Sequence, residues 1–147
     1  MELEARVQFT DSFGMNLGAG YTDARMAEDA PTVSASKGER LPTSPKFNGN
    51  LSLQYDFRIG DRAAFLRTDL GYVGSYLGSF SASAREAGGY ARLDARIGLT
   101  TLNGIDIEVF GSNLTNEDDF TFLESRPTNI GYRVRPRTIG AQLRYSF

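Results

Sequence analysis

Arg137-Thr138-Ile139-Gly140-Ala141-Gln142-Leu143-Arg144-Tyr145-Ser146-Phe147 is the stretch on which the reading of the whole chain turns. Side chains of an extended strand alternate between two faces. Ile139, Ala141, Leu143, Tyr145 and Phe147 therefore share one face, and Thr138, Gly140, Gln142, Arg144 and Ser146 share the other. The first face is apolar and finishes in aromatic rings; the second is polar. Rings at that point of a strand suit the boundary between hydrocarbon and water, where the aromatic girdles of membrane barrels lie. A strand at the edge of a soluble sandwich alternates in the same way, so the preceding residues have to separate the two readings.

The same period of two recurs six more times. Leu3, Ala5, Val7 and Phe9 alternate with Glu2, Glu4, Arg6, Gln8 and Thr10; Met15 to Tyr21 repeat the pattern after a turn at Asp11-Ser12-Phe13-Gly14. The third strand is the cleanest, with Phe47, Gly49, Leu51, Leu53, Tyr55, Phe57 and Ile59 set against Asn48, Asn50, Ser52, Gln54, Asp56 and Arg58. A fourth strand is expected from Ala64 to Tyr76, a fifth from Ala91 to Leu99 and a sixth from Ile105 to Phe110, the last two joined by a hairpin at Leu102-Asn103-Gly104. Between them, stretches rich in Pro, Gly and Ser carry no period and read as loops.

The connections alternate in length: short at 11–14, long at 25–45, short at 59–62, long at 79–88, short at 102–104, long at 113–132. An up-and-down membrane barrel has short turns on one side and long loops on the other, so a meander must alternate them. Aromatics fall in two sets on the apolar phase. Phe9, Tyr55, Phe57, Tyr145 and Phe147 lie toward the short turns, and Tyr21, Tyr72 and Tyr76 toward the long loops. The expected fold is all-β, an antiparallel up-and-down meander of about seven strands forming an arc of a transmembrane β-barrel, incomplete on its own. Its apolar rows should be exposed, and its first and last strands should be open edges.

Composition agrees with that class and narrows the function. The 147 residues include ten Phe, seven Tyr and sixteen Gly, which suits strands and turns. A mean hydropathy of -0.34 does not argue against a membrane barrel, because outward and inward residues cancel in the average. No apolar run approaches the ~18 residues of a membrane-spanning helix. The absence of Cys and His removes disulfides and the usual ligands of a structural zinc. A net charge of -2 and a pI near 5.2 argue against nucleic acid as a partner. With no His, no nucleophile beside a base and no Gly-rich phosphate loop, the chain does not read as an enzyme, and no cofactor is expected.

The closing strand, with Arg135-Pro136-Arg137-Thr138-Ile139-Gly140 before it, resembles the C-terminal strand of the TonB-dependent outer-membrane receptors. So do Gly38-Glu39-Arg40-Leu41-Pro42 through Tyr55, Gly89-Tyr90-Ala91-Arg92-Leu93-Asp94-Ala95-Arg96-Ile97-Gly98, and Val109-Phe110-Gly111-Ser112-Asn113-Leu114-Thr115-Asn116-Glu117. Their order and spacing carry the resemblance together. It implies that residues 1–147 are the C-terminal portion of a receptor barrel of about 22 strands, in the cell outer membrane, taking up a siderophore, cobalamin or a similar nutrient. It also implies four kinds of partner: outer-membrane lipid, the barrel-assembly machinery, the remainder of the barrel with its plug, and TonB only through N-terminal parts. No plug domain and no TonB box are present in the sequence. The assembly signal falls on Gly140, Leu143, Tyr145 and Phe147, and departs from the family pattern where Gln142 stands in place of Gly. Met1-Glu2-Leu3-Glu4-Ala5-Arg6 has no signal-peptide pattern, which suggests a piece of a longer receptor. The alternative is a self-contained small β-barrel or β-sandwich with a structural or binding role.

Other motifs weigh little. Asn50-Leu51-Ser52 and Asn113-Leu114-Thr115 match the glycosylation pattern, but both fall on or at the end of strands. Glu117, Asp118, Asp119 and Glu124 are oxygen donors without the spacing of a calcium loop. Asp56, Arg58, Arg67, Asp69, Arg92, Asp94, Arg96, Asp106, Glu108 and Arg144 share the polar phase and read as a solvated lumen wall. Arg133, Arg135 and Arg137 share parity with Ile139. From Phe147 back to Arg137 is about 33 Å of strand, or roughly 25 Å of height at a tilt near 40°. Arg137 is expected at the outer headgroup level with Arg135 and Arg133 above it, facing lipopolysaccharide phosphates; the alternatives are that a bulge at Pro136 reverses the facing or that the row is solvated loop charge.

Overall fold

The computed structural model describes residues 1–81, 84–101, 104–123 and 130–145. In chain order its strands are β1 (Glu2–Thr10), β2 (Phe13–Tyr21), β3 (Phe47–Ile59), β4 (Arg62–Val73), β5 (Tyr76–Leu77), β6 (Glu86–Ala87), β7 (Tyr90–Thr100), β8 (Ile105–Ser112), β9 (Phe120–Leu123), β10 (Gly131–Arg133) and β11 (Thr138–Tyr145). Seven of them make one antiparallel sheet in the order β1-β2-β3-β4-β7-β8-β11, so long strands that follow one another along the chain are neighbours in space. The sheet does not close on itself, and β1 and β11 are its outer strands.

Register carries the period of two through the whole sheet. Val7, Met15, Leu53, Thr68, Ala95, Gly111 and Ile139 are successive cross-strand partners, and Phe13, Tyr55, Leu66, Ile97, Val109 and Ala141 form the next row. The other face carries Arg6, Asn16, Ser52, Asp69 and Asp94 in one row, and Gln8, Gly14, Gln54, Arg67, Arg96, Phe110 and Gly140 in the next. A slip of one residue would exchange the two faces, so these rows fix the register and the sidedness together.

The apolar face is uncovered. Leu3, Tyr55, Leu66, Leu70, Ile97, Val109 and Ile139 are all exposed, whereas among the described residues the buried apolar ones are Ala35, Ala64, Tyr76, Ala87, Leu123 and Val134. A water-soluble sheet hides its greasy face against another layer. Among the described residues no second sheet packs on this one, as a sandwich requires. Aromatic pairs mark both ends of the face: Phe9 stacks on Phe13 at 5.3 Å and Tyr55 on Phe57 at 5.7 Å near the short turns, and Phe47 meets Tyr72 at 5.9 Å near the long connections. Phe13, expected in a turn, instead opens β2, and the register slips between Gln8 and Thr10, which leaves Phe9 beside it.

The long connections differ from the expectation of plain loops. The 79–88 stretch contains β6, which pairs with β5, and the 113–132 stretch contains β9 and part of the β9–β10 hairpin. The 22–46 connection holds a single 3-10 turn, Pro31–Val33, and the bridges Arg25↔Arg40 and Ala30↔Ala35. Asp23 lies within 3.0 Å of Arg25 and 3.7 Å of Lys46 there. Of the expected Leu102-Asn103-Gly104 hairpin, Leu102 and Asn103 lie outside the described residues; Gly104 has φ +72, a value that favours glycine. No helix among the described residues is long and apolar enough to cross a membrane.

Candidate functional site

The polar face sets like charges directly opposite one another: Asp69 faces Asp94, and Arg67 faces Arg96. Like charges in that position repel, and the side chains turn along their own strand or to the next strand to relieve it. Arg67 Nη2 lies 2.8 Å from Asp69 Oδ1, and Ser52 Oγ donates to the same oxygen at 2.6 Å. Arg92 Nη2 lies 3.4 Å from Asp94 Oδ2, Ser112 Oγ donates to Asp94 Oδ1 at 3.0 Å, and Arg96 Nη1 approaches Glu108 Oε1 at 3.9 Å. Such half-exposed pairs contribute about 0–1 kcal/mol each, so the rows neutralise the wall more than they stiffen it. All ten charged residues expected on the polar phase do share this face.

Two phenylalanines interrupt the polar rows, and their partners explain them. Phe65 pairs with Gly98 and Phe110 with Gly140, and each ring lies over its glycine. A β-carbon on Gly140 would stand 2.6 Å from Phe110 Cζ, and one on Gly98 would collide with the Phe65 ring. Parity along each strand puts all four residues in the polar phase, and the cross-strand register shows that each ring has a glycine beneath it.

At the end of the sheet with the long connections, side chains tie those connections together. Tyr76 is buried with Ala87 and Leu123, packed by Val73 and Phe120, and its hydroxyl donates to the Thr121 carbonyl. Burial pushes its phenol above the ordinary range. This corrects two expectations, that the fourth strand runs to Tyr76 and that Tyr76 belongs to an aromatic girdle. β4 stops at Val73, where the Gly74 N–H turns to the Phe47 carbonyl at 2.8 Å, and the chain leaves the sheet. Asn113, only 1% exposed, ends β8 with φ 53 and uses its amide to hold the connection that follows.

The β-barrel model of the family described as TonB dependent receptor-like matches residues 1–116 of this chain. The chain belongs to the TonB-dependent receptor β-barrel family. Members of that family are receptors and transporters rather than enzymes. The ferric yersiniabactin uptake receptor FyuA from Yersinia pestis shares the fold, with a TM-score of 0.79 at 22% identity over 99% of this chain. The chain spans 23% of the length of that receptor. No curated protein matches the chain by sequence.

Seen as a receptor barrel arc, the polar face is the lumenal wall and the apolar face the outer surface. Of the residues assigned to the assembly signal, Leu143 and Tyr145 stand on the outer surface, 72% and 62% exposed; Gly140 lies on the lumenal side beneath Phe110; Phe147 is outside the described residues. The three arginines do not form one row. Arg133 closes β10, where the register slips between Tyr132 and Arg133; its guanidinium pairs with Asp118 at 3.3 Å and covers the Phe120 ring at 4.3 Å. Parity counted back from Ile139 fails because β11 begins only at Thr138, after Pro136. Arg135 and Arg137 are exposed in the segment between. Glu117 Oε1 accepts from the Asp118 and Asp119 N–H groups at 3.1 and 3.4 Å, and Glu124 is outside the described residues. No cluster of three or more acidic side chains that could hold a metal occurs among the described residues. Asn50 lies over Gly18 on the lumenal wall.

Proposed function

We propose that this chain is the C-terminal arc of an outer-membrane receptor barrel that takes up a scarce nutrient. Ferric siderophores are the first substrate class and cobalamin the second. The observation that carries the reading is the uncovered apolar face spanning all seven strands, set back to back with a neutralised polar wall. A bilayer on one side and a filled or hydrated lumen on the other satisfy both faces. Family membership and the likeness to a ferric-siderophore receptor support the substrate class.

The partners follow from the surfaces. Lipid covers the apolar rows. The remaining strands of the barrel pair with the open edges of β1 and β11, and the plug and TonB belong to parts outside these 147 residues. The barrel-assembly machinery reads Gly140, Leu143, Tyr145 and Phe147. Arg137, with Arg135, takes lipopolysaccharide phosphates at the outer headgroup level, while Arg133 is engaged by Asp118. Arg137→Glu in the whole receptor should lower thermal stability more in lipopolysaccharide-containing membrane than in neutral detergent; equal losses in both would remove that role.

Uptake by cells with and without the receptor gene tests the substrate. Under iron limitation, accumulation of radiolabelled iron from ferric siderophores should depend on the gene, and accumulation of labelled cyanocobalamin should not. The reverse dependence moves the assignment to cobalamin, and dependence of neither removes both.

A further inference from the structure

The described parts of the connections 74–89 and 113–137 join different strand pairs, yet hydrogen bonds and packed side chains hold them to each other and to the wall. Asn113 is the junction. Its Nδ2 donates to the carbonyls of Glu117 at 2.7 Å and of Arg135 at 2.8 Å, residues on the outgoing and the returning limb of one excursion. Its Oδ1 accepts from the Glu117 N–H at 2.9 Å and from Thr115 Oγ1 at 3.2 Å. Both amide donors and both acceptor positions are thus filled. Its own backbone N–H donates to Asp94 Oδ1 at 2.7 Å, and the Leu114 N–H to the Leu93 carbonyl at 2.7 Å, which anchors the junction to β7.

The excursion so held meets the other connection across a buried contact. The Gly88 N–H donates to the Phe120 carbonyl at 3.0 Å, the Tyr76 hydroxyl to the Thr121 carbonyl, and Leu123 is buried against Tyr76 and Ala87. Gly78 lies so close to the Leu123 carbonyl that a β-carbon there would overlap it. The Thr43 N–H donates to the Leu77 carbonyl at 2.8 Å and brings in the 22–46 connection.

We propose that Asn113 is a positioning residue for the outer mouth. Its side-chain amide clamps the outgoing limb at Glu117 to the returning limb at Arg135, at the point where its backbone N–H meets Asp94 on the wall, and β9, β10 and the β5–β6 pair then stand as one fixed part of the rim. This rests on the reading above that the long connections face outward. It adds that β5, β6, β9 and β10 supply a fixed part of the mouth.

The test uses the whole receptor in outer membrane, with nitroxide labels at Asp119→Cys on the excursion and at Asp61→Cys in the short β3–β4 turn at the opposite end of the sheet, far enough apart for a distance to be read. Electron double resonance should give one narrow distance. Asn113→Gly keeps the backbone free to adopt its positive φ while removing the amide, and should abolish the narrow peak while heat-modifiable migration of the barrel on gels stays unchanged. Tyr76→Phe, which loses only the hydroxyl, should broaden it less. A narrow peak that survives Asn113→Gly, or a broad distribution in the parent protein, overturns the proposal. Because no nutrient is involved, either result is independent of what the receptor transports.

Discussion

Leu51 and Ser52 are neighbours on β3 with opposite surroundings. Leu51 lies on the outer face in the row Ala5, Leu17, Leu51, Leu70 and Leu93, about midway between the two aromatic clusters, while Ser52 faces the lumen and donates to Asp69. A cationic side chain at the bilayer midplane costs about 2–4 kcal/mol in a β-barrel. Leu51→Arg in the whole receptor should therefore lower unfolding free energy in bilayers by about that amount. Ser52→Arg, which points to water and to the carboxylate of Asp69, should cost clearly less. Equal costs measured by urea unfolding in vesicles would show that the two faces are not differently solvated. At this scale the sequence was informative wherever the period of two continued, and uninformative where it broke. Leu51 and Ser52 could be sorted by parity alone. Arg133 could not, because its parity with Ile139 passes through four residues that are not strand.

The long strands were legible because eight or more residues of alternation show the period; β3 was bounded correctly at Phe47 and Ile59, while the end of β4 was missed because Tyr76 continues the parity past Val73. The hairpins β5–β6 and β9–β10 were not legible, since segments of two to four residues are too short to show a period. Their formation depends on tertiary contacts at Tyr76 and Leu123. Cross-strand complementarity was hidden for a different reason. That Phe65 needs Gly98 follows only from the β4–β7 register. A ring laid over a glycine covers exposed backbone and fixes the pairing of the two strands. Gly98→Val should destabilise the barrel by forcing the Phe65 ring away, and Phe65→Ala should recover part of that loss. Residues in direct contact couple by about 0.5–3 kcal/mol in a double-mutant cycle, and strictly additive losses would mean that the ring and the glycine do not depend on each other.

The whole sheet inverts the arrangement of a soluble domain, with a small buried set that, apart from Ala64 on β4, lies among the connections, and with its largest apolar surface uncovered. Two unpaired outer strands add open rows of N–H and C=O groups. The 147 residues by themselves, without detergent, should therefore associate through both surfaces, and a sharp monomeric peak on size exclusion in plain buffer would contradict this. The central claim, that one face of every long strand meets lipid and the other the lumen, is tested most directly along β3. Single nitroxides at successive positions from 49 to 57 of the whole receptor, in outer membrane, report collision with oxygen, which concentrates in lipid, and with a water-soluble nickel chelate. The account predicts that oxygen collision rises at the odd positions, Leu51, Leu53 and Tyr55 among them, and falls at Asn50, Ser52 and Gln54. Collision that does not alternate along β3, or that peaks at the even positions, would contradict it.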